Sequence, residues 1–126
     1  MRIASYRDLI VWQKAMDYAE LVYRLTRRFP REELFGLTSQ LRKASASIPS
    51  NIAEGHGRRA GKEFIRFLLI ANGSLRESET QLPLAERLRY VEASATSQAR
   101  ELAEEIGRCL SGLIGSLKKR LQRPSD

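Results

Sequence analysis

Ser47-Ile48-Pro49-Ser50-Asn51-Ile52-Ala53-Glu54-Gly55 sets a proline inside an otherwise helical pattern, and the reading of that proline decides the fold. Ahead of it, Leu34 to Ala46 keeps an amphipathic period, with Leu37, Leu41 and Ala44 spaced at four and three. Pro49 removes one backbone donor and its ring clashes with the carbonyl of Ser45, so the chain must kink or stop. Ile52 and Ala53 then resume an apolar face, and Gly55-His56-Gly57 closes the element. Ser47, Ser50 and Asn51 are short polar residues that can bond backbone groups freed by a kink. The stretch predicts a helix from about Glu33 to His56, bent at a motif of Pro49, Ser50 and Asn51.

Working outward, the apolar period predicts three more helices and no strand. Helix one spans about Tyr6 to Phe29, stopped by Pro30; helix three about Gly61 to Leu88; helix four about Ser94 to Leu121, with Ser94 or Ser97 as N-cap. Short connections make neighbouring helices antiparallel. The expectation is an all-α, antiparallel up-down-up-down four-helix bundle with a kinked second helix, one domain over residues 1–126. Helix three reads as the central helix, its stripe running Phe64, Leu68, Ala71, Leu75, Ser78, Leu82 and Ala85, with Pro83 bending it near Glu79. Gly107, Gly112 and Gly115 weaken helix four by about 1 kcal/mol each relative to alanine, so packing must hold it.

Helix one carries two apolar stripes centred roughly 100° apart. One is Leu9, Trp12, Met16, Ala19 and Tyr23; the other is Val11, Ala15, Tyr18, Val22, Leu25 and Phe29. Either a broad face packs against both neighbours within the bundle, or the second stripe meets another subunit. The second reading makes Val11, Tyr18, Val22, Leu25 and Phe29 an oligomer interface.

Catalytic and metal chemistry find little to use. The one histidine, His56, sits between glycines at a helix end, and one His with one Cys at no ligand spacing makes no zinc site. Gly55-His56-Gly57-Arg58-Arg59-Ala60-Gly61-Lys62 follows a helix, not a strand, so it is no phosphate loop. Glu77 and Glu79 read as solvated or bonded to Arg76, Thr80 or a neighbouring subunit. Hence no enzyme, no cofactor and no metal are expected. Cys109 fits an apolar helical face and has no partner for an internal disulfide, in keeping with a reducing cytoplasm. No segment reads as a signal peptide or membrane span.

Charge is the remaining signal. The chain has 22 Lys and Arg against 15 Asp and Glu, a net charge of +7, and a pI near 10.1. Arginine dominates, and its planar fork suits bidentate phosphate contacts. In an antiparallel bundle the end of helix four approaches the helix two–three turn, bringing Lys118, Lys119 and Arg120 to Arg58, Arg59 and Lys62. That end is the expected nucleic-acid contact, for RNA or single-stranded DNA, through phosphates and not bases. The competing class is a protein-interaction adaptor whose charge only keeps it soluble.

Several segments together carry a family resemblance: Asp8-Leu9-Ile10-Val11-Trp12, Phe35-Gly36-Leu37-Thr38-Ser39-Gln40-Leu41-Arg42-Lys43-Ala44, the proline motif through Gly55-His56-Gly57-Arg58, and Phe64-Ile65-Arg66-Phe67-Leu68. Gly73-Ser74-Leu75-Arg76-Glu77-Ser78-Glu79-Thr80-Gln81-Leu82 completes the set. They resemble the bacterial four-helix-bundle proteins encoded in intervening sequences of 23S ribosomal RNA genes, related to the accessory variability determinant of diversity-generating retroelements. The resemblance covers about Tyr6 to Tyr90 and departs at Pro83, where a helix former usually stands. It implies a homopentameric ring and, in the retroelement branch, a reverse transcriptase as protein partner.

Overall fold

The computed structural model describes residues 5–58 and 60–123. Four helices follow one another: α1 Ile10–Thr26, α2 Leu37–His56, α3 Gly61–Arg87 and α4 Ala93–Gln122. No strand occurs among the described residues. Each helix packs on the next, and α4 closes the ring against α1, with no close backbone approach across either diagonal. Cross-helix contacts pair the end of one helix with the start of its neighbour: Thr26 of α1 with Arg42 of α2 at 2.7 Å, Gly55 of α2 with Phe64 of α3, and Glu86 of α3 with Arg100 of α4. Midway along, Ser47 meets Ser74 at 2.8 Å. The bundle is therefore antiparallel, up-down-up-down.

The core runs the length of the four helices. Tyr18, Leu41, Ile48, Ile52, Leu68, Leu75, Leu82, Ile106 and Leu110 are its fully buried large side chains. One polar contact crosses the diagonal: Tyr18 and Ser78 hydroxyls lie 2.7 Å apart. Ser78 donates its proton to the Leu75 carbonyl at 2.8 Å, so Tyr18 is the donor of the pair. Both groups are thus satisfied inside an apolar core, as buried polar groups must be. Burial pushes the Tyr18 phenol up to about 12.

Helix boundaries differ from the periodic reading for local reasons. Helix one opens as a 3-10 turn at Tyr6–Asp8, Leu9 is extended, and the α-helix begins only at Ile10. It ends at Thr26, not Phe29; the Thr26 hydroxyl donates back to the Val22 carbonyl at 2.9 Å. Phe29 then folds over the core and packs on Tyr90 with ring centroids 5.5 Å apart. The Arg31–Glu33 segment is a separate 3-10 turn, and Gly36, at φ −112° and ψ −117°, breaks it from α2. Helix four begins at Ala93 after Glu92. Neither Ser94 nor Ser97 is its cap: Ser97 donates to the Ser94 carbonyl from within the helix.

Pro49 lies inside a continuous α2. Ser50 Oγ donates to the Ala46 carbonyl at 3.0 Å, and Asn51 Nδ2 to the Ser47 carbonyl at 2.8 Å and Ser47 Oγ at 2.9 Å. These bonds brace the carbonyls one and two residues beyond Ser45, whose own donor the proline removes. Ser47 carries the network to α3 through Ser74. Pro83 is likewise accommodated within α3. That helix ends in a Schellman turn: Arg89 takes φ 62°, Tyr90 N–H bonds the Ala85 carbonyl and Arg89 N–H the Glu86 carbonyl, both at 3.0 Å.

Candidate nucleic-acid interface

The basic end is assembled by two close approaches. At the bottom of α2, Gly55 lets α3 come near: a Cβ there would stand 2.7 Å from Phe67 Cβ and 3.3 Å from the Phe64 carbonyl. At the start of α3, a Cβ on Gly61 would stand 3.1 Å from Leu121 Cδ2. Leu121 therefore lies over the α2–α3 turn, and the end of α4 arrives beside it. The sequence supplies the charge: no acidic residue occurs between Glu105 and Asp126. Lys118, Lys119, Arg120 and Arg123 are exposed on this last stretch, as are Arg58 and Lys62 on the turn they approach. Arg59, assigned to the same group, lies outside the described residues.

Pairing divides these cations into two sets. Among the described residues, no carboxylate forms an ion pair with Lys62, Lys118, Lys119, Arg120 or Arg123. Arg58 bonds Glu54 at 2.6 Å, and Arg66, which the sequence reading did not assign to the site, bonds Glu63 at 2.9 Å. Both guanidiniums also sit on one ring: Arg58 Cζ is 5.2 Å and Arg66 Cζ 4.6 Å from the Phe67 centroid. The Glu54/Arg58 and Glu63/Arg66 spacings could be read from sequence; their convergence on Phe67 depends on the Gly55 approach. His56, the last residue of α2, packs edge-on against Phe64 at 5.8 Å.

The flanks have a different character. A groove between α1 and α4 is lined by Asp17, Glu20, Glu101 and Glu105 with Arg24. The Lys14–Glu105 hydrogen bond raises the lysine pKa and lowers that of the glutamate. Phosphates are disfavoured along this face and favoured at the basic end. Glu79 is bonded to Arg76 at 2.8 Å, and Gln81 Nε2 donates to Glu77 at 3.4 Å.

The assignment of helix one's stripes is corrected. Val11, Tyr18, Val22, Leu25 and Phe29 are all buried within the single chain, Tyr18 and Val22 completely, so another subunit cannot reach them. Of the other stripe, Leu9 is buried, Trp12 and Ala19 are half-buried, and Met16 and Tyr23 face outward at 45% and 43% exposure. Tyr6, Trp12, Met16 and Ala19 form one wall, and Ala46, Pro49, Ser50 and Ala53 the other, of a trough of about 370 Å³. Cys109 is half-buried against the core. No described helix is long and apolar enough to cross a membrane.

An antiparallel helical bundle with one cationic end defines the class of protein. The family model of the 23S rRNA-intervening sequence protein matches residues 7–112, and the chain belongs to that family. Among solved structures it is similar to a protein with unknown function from the S23 ribosomal protein family of Bacteroides thetaiotaomicron. The TM-score is 0.75 at 24% identity, over 83% of this chain and 98% of the other. That likeness concerns the fold. No curated protein matches the chain.

Proposed function

We propose that this chain is a non-catalytic cytoplasmic protein that binds RNA or single-stranded DNA through its cationic end, as a homo-oligomer. The observation that carries the reading is the meeting of α4 with the α2–α3 turn at Leu121 and Gly61. It groups Lys62, Lys118, Lys119, Arg120 and Arg123 without carboxylate partners among the described residues. Such a surface attracts phosphates with little regard to sequence. Copies would meet through the outward stripe of α1 and its trough with α2, and the family resemblance suggests five of them. A fluorescence-anisotropy titration of a 20-nucleotide oligouridylate tests the binding. Wild type is expected to bind at low salt and the Lys118→Glu, Lys119→Glu variant to bind at least tenfold more weakly; no wild-type binding would refute the reading.

A second reading, protein adaptor, is favoured by one feature at the opposite end. Phe35 is 93% exposed, with Leu34 at 47% beside it. A partner such as a reverse transcriptase would dock there. Phe35→Ser would abolish that complex while leaving oligouridylate affinity unchanged.

A further inference from the structure

Two arginines at the cationic end differ from the lysines around them in being held. The Arg58 and Arg66 guanidiniums lie 5.2 Å and 4.6 Å from the centroid of the same Phe67 ring. Each is steadied by a carboxylate one helical turn away, Glu54 at 2.6 Å and Glu63 at 2.9 Å. Phe67 is in turn fixed by its contact with Gly55, where no side chain intervenes between α2 and α3. The side chains of these ion pairs remain about half exposed, at 51% and 53% for Arg58 and Glu54 and 58% and 47% for Arg66 and Glu63. Ion pairs this exposed are weak and screened by salt. A phosphate presents the same fork-to-oxygen geometry as a carboxylate and makes strong charge-assisted bonds to arginine.

Resting on the nucleic-acid reading above, we propose that Arg58 and Arg66, stacked on Phe67, form a two-guanidinium clamp for the phosphodiester backbone. The strand is captured by exchange: it displaces Glu54 from Arg58 and Glu63 from Arg66. The ring keeps both guanidiniums in place while the carboxylates leave, so little side-chain freedom is lost on binding. Glu54 and Glu63 thereby act as internal competitors that set the affinity of the end and its salt dependence. Lys62, Lys118 and Lys119, without carboxylate partners among the described residues, supply attraction without this competition.

The test is the affinity of the full-length protein for a 20-nucleotide oligouridylate, measured by anisotropy across a salt series. Glu54→Gln with Glu63→Gln is expected to tighten binding at least threefold. Arg66→Gln should weaken it at least fivefold. Phe67→Leu, which alters no charge, should weaken it at least threefold and lessen the effect of Arg66→Gln when the two are combined. Circular dichroism and urea midpoints identify any variant that has lost its fold. Should Phe67→Leu prove unfolded, the glutamine pair and Arg66→Gln, which touch no core residue, decide the matter alone.

If wild type binds and Lys118→Glu weakens it, yet the glutamine pair and Arg66→Gln leave affinity within 1.5-fold, the clamp is overturned and the basic end stands. Absence of any wild-type binding overturns both. Competition by a polyglutamate of equal charge as effective as oligouridylate would also overturn the clamp, since it would assign the site to an acidic protein.

Discussion

Replacing Gly55 with alanine separates the close approach of α2 and α3 from ordinary helix propensity. The added Cβ would lie 2.7 Å from Phe67 Cβ, 3.0 Å from Phe64 Cδ1 and 3.3 Å from the Phe64 carbonyl. Carbon atoms prefer about 3.5–4.0 Å, so α3 must move away by roughly 1 Å. Two of the three nearest atoms are a Cβ and a backbone oxygen, which no rotamer change can shift. Overpacking of this kind costs about 1–3 kcal/mol. Alanine recovers up to about 1 kcal/mol of helix propensity in a helix interior, and less at Gly55, one residue from the end of α2. The net expectation is a loss of about 1–2 kcal/mol. Gly73 and Gly112 are the controls: a Cβ at either meets nothing within 4 Å, so alanine there should raise stability by about 0.5–1 kcal/mol. Urea unfolding followed by circular dichroism reads both, as opposite shifts in midpoint at unchanged slope. A Gly55→Ala protein as stable as Gly73→Ala would refute the argument that Gly55 sets the distance between the helices.

Four further outcomes follow from the core, the proline motif and the exposed face of α1. Because the Tyr18 phenol is raised from about 10 to about 12, the folded state holds its proton where the unfolded chain releases it. Its contribution, about 2–3 kcal/mol, is fully present below pH 10 and is lost between pH 10 and 12; Tyr18→Phe should show a smaller alkaline decline in unfolding free energy. Asn51→Leu removes two bonds to Ser47 and should cost about 1–3 kcal/mol in a urea titration. Val22→Asp places a charge at a fully buried position and should cost more than about 4 kcal/mol, leaving an unfolded chain in circular dichroism. Met16→Glu, by contrast, should keep the fold and yield monomer in sedimentation.

The fold was readable because apolar spacing alone delimits most of it. Glycines marked the end of α2 at His56 and the start of α3 at Gly61. The ends of helix one were misread because local side-chain bonds set them: Thr26 turns its hydroxyl back on Val22, and Leu9 is extended despite belonging to an apolar stripe. Which stripe of helix one faces inward was not decidable from spacing. It is settled by the partner of a single polar atom, since Tyr18 has Ser78 across the core whereas Trp12, Met16 and Tyr23 can leave one edge in water. Of the cationic end, the meeting of the end of α4 with the start of α3, at Leu121 and Gly61, followed from antiparallel topology. Arg66 depends on a ring on α3 that also receives Arg58 from the α2–α3 turn, and no spacing in the chain encodes that meeting.

The slope of log affinity for oligouridylate against log salt tests the central claim most directly. Each phosphate neutralised on a single strand contributes about 0.7 to the steepness. The five exposed cations without carboxylate partners among the described residues, Lys62, Lys118, Lys119, Arg120 and Arg123, therefore predict a slope of about −3.5 per chain engaged. Reversing Lys118 and Lys119 to glutamate should flatten it by about 1.4 without altering the sedimentation of the protein. A slope near zero, or one unchanged by the reversal, would contradict a cationic end that binds phosphates.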